Sequence, residues 1–63
     1  MTKIEFERRN ANLTLQQLAD LIGVTAGAIS FWELHRTIPR VNQIEKMAAA
    51  LNVPYDRLIG DVE

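Results

Sequence analysis

Apolar residues recur along this chain at spacings of three and four, the period of helices lying on a core, and never alternate with polar ones for a strand's length. Leu15, Leu18, Ala19 and Ile22 form one such stripe. Val41, Ile44, Met47, Ala48 and Leu51 form another. The pattern predicts an all-α protein with no internal repeat and no linker. A weaker helical pattern covers about Lys3 to Ala11, where Ile4 and Arg8 stand four apart with Phe6 between them. Asn12 follows as a left-handed stop, since Asn tolerates positive φ better than most side chains.

The helix boundaries are written in local chemistry. Thr14 and Gln17 have the spacing of a capping box, in which the hydroxyl accepts from one exposed amide and the Gln side chain reaches back. Leu13 and Leu18 flank it as a hydrophobic staple, and Gly23 ends this second helix after Ile22. A third helix starts at Thr25, with Val24 and Ile29 as its staple. Adjacent helical residues point about 100° apart, so Phe31 and Trp32 cannot both face the core; Trp32 is assigned to it. A loop from about His35 to Pro39 leads to the fourth helix, roughly Val41 to Leu51, with Asn52 as its stop. Pro54 begins a short fifth helix bearing Tyr55, Leu58 and Ile59, which Gly60 ends before an acidic tail expected to fray. Two short helices in close succession, over about residues 14–34, outline a helix-turn-helix and make double-stranded DNA the leading partner.

Composition narrows this reading. At 63 residues the chain can build one compact core, so residues 1–63 are expected to be a single domain. It has no cysteine and one histidine, His35, which leaves no parts for disulfides, thiolate chemistry or a zinc site. His35 lacks a neighbouring nucleophile, and Gly23, Gly27 and Gly60 do not form a phosphate-cradling loop. No enzyme and no cofactor are expected. No apolar run approaches the roughly 18 residues of a membrane span, and the first residues lack a signal peptide's apolar core, so a cytoplasmic protein is the natural expectation. The net charge of −1 argues against DNA binding by bulk electrostatics. Its distribution does not: Asp56, Asp61 and Glu63 lie near the C-terminus, whereas Arg36 and Arg40 follow the third helix.

From Leu13 to Ile59 the chain resembles the DNA-binding domain of the lambda-repressor and Cro group of phage and bacterial regulators. The resemblance rests on Leu13-Thr14 and Leu18-Ala19, on Gly23-Val24-Thr25 at the turn, and on Ile29-Ser30 with Trp32-Glu33. Pro39, Ala48, Ala50-Leu51-Asn52-Val53 and Leu58-Ile59 complete it. It implies a compact five-helix fold, repressor-like regulation, and a structural ion pair between Arg8 and Glu33. There are three departures. His35 stands where Gly is usual, which requires a left-handed histidine or a different loop. Leu15 replaces a phosphate-binding Gln. The positions that reach base edges in the family are here Ala26, Gly27, Ser30 and Phe31.

Ala26 and Gly27 cannot make the bidentate hydrogen bonds that Gln or Arg make to purines, but they let the backbone approach closely. Apolar contact with thymine methyls by Ala26, Ala28 and Phe31, with Ser30 as a hydrogen-bonding member, is the expected base readout, helped by DNA shape. Thr14, Gln16, Thr25 and the Leu15 backbone are phosphate candidates at helix N-termini, and Arg36 and Arg40 are the side-chain candidates. Arg9 and Lys46 read as plain surface charge. Operators are commonly read by two-fold dimers, and Val53, Pro54, Tyr55, Leu58 and Ile59 supply an apolar strip for a homodimer, although Leu58 or Ile59 must close the core. The alternative keeps the fold but makes it a protein-binding adaptor or antirepressor, through an apolar surface of Ala26, Gly27, Phe31 and Leu34 or through the fifth helix.

Overall fold

The computed structural model describes all residues, Met1–Glu63, and contains four α-helices: α1 (Lys3–Asn10), α2 (Leu15–Ile22), α3 (Ala26–Glu33) and α4 (Val41–Leu51). The expected fifth helix is a single 3-10 turn, Tyr55–Leu58. Between Pro54, which has no amide hydrogen to give, and Ile59, whose backbone is already extended at φ −99° and ψ 125°, only four residues wind.

Each helix starts where a side chain satisfies an exposed amide. Gln17 N–H donates to Thr14 Oγ1 at 3.1 Å and Thr14 N–H donates to Gln17 Oε1 at 2.8 Å, the complete capping box. Ala28 N–H donates to Thr25 Oγ1 at 3.1 Å. For α1 the cap is Thr2, whose Oγ1 accepts from Glu5 N–H at 3.2 Å. Left-handed residues then stop the helices: Asn12 (φ +59°), Gly23 (φ +76°), His35 (φ +59°) and Asn52 (φ +56°). His35 thus takes the left-handed alternative that its replacement of glycine demands.

Eleven side chains form one core, with Leu18, Ile29 and Met47 at its centre. Trp32 belongs to it and Phe31 does not, the latter being 47% exposed. Val41, at the edge of the apolar face of α4, is 62% exposed, so that face is narrower than its spacing implies. Leu58 closes the core at 2% exposure, and Ile59 beside it faces out.

The tail does not fray. Lys3 N–H donates to Gly60 O at 3.0 Å and Val62 N–H to Met1 O at 2.9 Å, a β-bridge centred on Thr2 and Asp61. His35 Nε2 and Asp61 Oδ1 lie 2.9 Å apart on the surface, and Arg57 Nη1 stands 3.7 Å from the buried Glu7 carboxylate. Neither pairing follows from local sequence.

Candidate nucleic-acid interface

α2 and α3 pack on each other across the Gly23–Thr25 turn, and α3 keeps a helical stripe uncovered. On α3 the stripe runs Gly27, Phe31 and, just past its end, Leu34, at spacings of four and three. Ser30 borders it, half-buried. Ala26 and Ala28 are less available than the sequence suggests: both are half-buried with their methyls against the core. The outer face of α3 is therefore carried by Gly27, Phe31 and the rim formed by Ser30.

Gly27 is not imposed by the fold. A Cβ built there would meet only Thr25 Oγ1, at 3.9 Å, and its φ is that of an ordinary helix. A glycine inside a helix costs about 1 kcal/mol relative to alanine. The chain carries that penalty at an exposed point of α3, with no internal packing reason for it.

The N-terminus of α2 lies bare beside this face. The cap engages Gln17 N–H, and Leu18 N–H donates to Thr14 O at 3.1 Å, which leaves the amides of Leu15 and Gln16 directed outward with the positive end of the helix dipole. The Leu15 side chain is half-buried against the core, so only its backbone is available. The Gln16 side chain is engaged locally, donating from Nε2 to Asp20 Oδ1 at 2.8 Å. Thr14 and Thr25 use their hydroxyl oxygens as cap acceptors and keep their O–H donors free.

Arg36 and Arg40 are exposed, on either side of the loop that leaves α3. Arg40 precedes α4, and its backbone N–H donates to Gln43 Oε1 at 2.8 Å. The backbone of Arg36 is fixed by the way α3 ends. Its N–H donates to Phe31 O at 2.9 Å, His35 N–H donates to Trp32 O at 3.3 Å, and His35 is left-handed: the helix ends in a Schellman motif. That motif sets the side chain of Arg36 back over the last turn, with its guanidinium carbon 5.9 Å from the centre of the Phe31 ring.

The orientation of α3 is held from behind. Arg8 on α1 grips Glu33 with both sides of its fork, Nε to Oε2 at 2.7 Å and Nη2 to Oε1 at 3.1 Å, and donates from Nη1 to Leu13 O at 2.8 Å. The two side chains are 9% and 6% exposed. The hydrogen bonds that Arg8 donates to Glu33 push its guanidinium above its ordinary pKa, against the opposing effect of burial. A raised cationic pKa contributes stability that is fully present below the unfolded-state value and is lost as pH rises through the folded-state value, so the Arg8 side of this clamp stays charged until strong alkali. No buried side-chain polar atom lacks a partner.

A half-exposed helix held by its neighbour across a glycine turn, with free amides at one flank and arginines at the other, defines a helix-turn-helix protein. The family described as helix-turn-helix, of the Cro/CI type, matches residues 4–58, and the chain belongs to that family of DNA-binding transcription regulators. No curated protein matches the chain significantly. No helix is long and apolar enough to cross a membrane.

Proposed function

We propose that this protein is a sequence-specific transcriptional regulator that lays α3 in the major groove as a homodimer on a two-fold operator. The observation that carries the reading is Gly27, a glycine the fold does not need on the face where DNA would come closest. Its bare backbone admits base edges, Phe31 packs on a thymine methyl, and Ser30 supplies a hydrogen bond at the rim. Ala26 and Ala28 contribute only the methyl surface that the core leaves uncovered. The amides of Leu15 and Gln16, the hydroxyls of Thr14 and Thr25, and Arg40 meet phosphates on the flanks.

Size supports two copies. The longest dimension of the domain is 27 Å, short of the roughly 34 Å between successive major grooves on one side of DNA. Val53, Pro54, Tyr55 and Ile59 provide the contact between copies; Tyr55 and Ile59 are 38% and 45% exposed, while Leu58 is committed to the core.

Selection of bound duplexes from a random pool tests partner, symmetry and readout together. Enrichment of a two-fold motif containing thymines supports the proposal, and failure to enrich any motif refutes it. The second reading, a protein-binding adaptor or antirepressor, is favoured by Leu34, whose side chain is 58% exposed and extends the α3 stripe.

A further inference from the structure

We infer that Phe31 and Arg36 act as one specificity-determining unit, in which the guanidinium poised over the ring reads a guanine next to the thymine that Phe31 touches. The inference rests on the DNA-binding reading above and deepens it. As a free surface cation, Arg36 would be a phosphate contact, the role its charge suggests. Its position argues otherwise.

The Schellman end of α3 returns the side chain to the exposed ring, 5.9 Å from the ring centre. Planar arginine is suited to such stacking, because its faces are weakly hydrated while its N–H donors point outward in the plane. A guanidinium over a ring still has in-plane N–H donors to offer, and that edge matches the O6 and N7 acceptors of guanine in the major groove. The ring beneath it lies on the exposed stripe of α3 that begins at Gly27. Ring and guanidinium share one exposed face, with the guanidinium carbon 5.9 Å from the ring centre, so an Arg36 fork on one guanine brings Phe31 to the edge of an adjacent pair. An apolar ring in that place favours the one base edge that carries a methyl, thymine. The unit therefore calls for adjacent thymine and guanine on one strand of each half-site.

No acidic residue is within salt-bridge distance of Arg36 to compete for the fork. His35, which lies between the two in sequence, has Asp61 as its partner, with Nε2 and Oδ1 2.9 Å apart.

The test uses the duplex enriched from the random pool and measures affinities of the wild type, Arg36→Lys and Phe31→Leu, each checked for native helicity. Both positions are exposed, so the variants keep the core. Replacing the key guanine by 7-deazaguanine, which lacks the N7 acceptor, is expected to weaken wild-type binding roughly 5- to 150-fold. Replacing the adjacent thymine by uracil weakens the wild type and leaves Phe31→Leu less affected. Arg36→Lys, which retains a charge for phosphate, is expected to lose discrimination at that guanine while keeping the wild-type salt dependence. An enriched motif whose guanines Arg36→Lys reads as well as the wild type overturns this inference alone and returns Arg36 to a phosphate. Absence of any enriched motif overturns the inference together with the DNA-binding reading.

Discussion

Gly27→Ala separates what the fold needs from what the interface needs. The added methyl has room, since the nearest atom outside its own helix backbone is Thr25 Oγ1 at 3.9 Å, an ordinary van der Waals contact. No strained φ is involved. The methyl removes the conformational freedom of glycine in the unfolded chain and suits the helix interior, an expected gain of about 1 kcal/mol. For a domain of this size that raises the melting temperature by roughly 4–8 °C, readable by circular dichroism. In the complex the same methyl stands between the α3 backbone and the bases, so DNA affinity is expected to fall by roughly 10-fold or more, as for about 1.4 kcal/mol of lost contact. Melting and operator affinity measured on one preparation thus move in opposite directions. A variant that melts lower refutes the claim of free space. One that melts higher and binds undiminished refutes close approach at Gly27, and with it the observation on which the proposed function rests.

Arg8→Met leaves Glu33 buried without a partner and is expected to cost about 3–5 kcal/mol, most of the stability of so small a domain. Urea denaturation followed by Trp32 fluorescence checks this, and Arg8→Met with Glu33→Met should recover much of the loss; an additive double variant would refute a specific pair. His35→Gly relieves a left-handed non-glycine residue and is expected to stabilise by up to about 1 kcal/mol. A lower melting temperature instead would show that the His35–Asp61 contact outweighs the backbone cost. Operator binding should weaken by roughly 10³-fold between about 50 and 200 mM salt if the dimer meets on the order of six phosphates, and Arg40→Ala should flatten that dependence.

The helix-turn-helix was legible because its determinants are local. A threonine at Thr14 or Thr25 finds its amide three residues on, whatever the rest of the chain does. Asn12 and Asn52 likewise announced left-handed turns that depend on their own short side chains. Arg8–Glu33 joins residues 25 apart and was legible only through family likeness. The Thr2 cap had a signal, Thr2-Lys-Ile-Glu5, which matches the spacing of a capping box; the weak apolar pattern of α1 masked it. Val41 was misplaced because a periodic spacing cannot say where a neighbour's cover ends. The half-burial of Ala26 and Ala28 depends on how α3 rolls against the core, which the clamp from α1 sets at a distance. The placement of Arg36 over the Phe31 ring is an intermediate case. The left-handed residue that creates it is visible, but its consequence appears only once the backbone has turned.

The bridge between Thr2 and Asp61 makes the covalent chain nearly a ring. Its bonds, Lys3 to Gly60 and Met1 to Val62, have the largest sequence separations in the molecule, so they pay the highest loop-closure entropy and should form late on the folding route. Contacts absent from the transition state do little for the folding rate and govern how fast the native state opens. Lifetime, more than speed of assembly, is then what the two ends control. A circular permutant that joins them through a short linker and opens the exposed loop near Thr37 would exchange those roles.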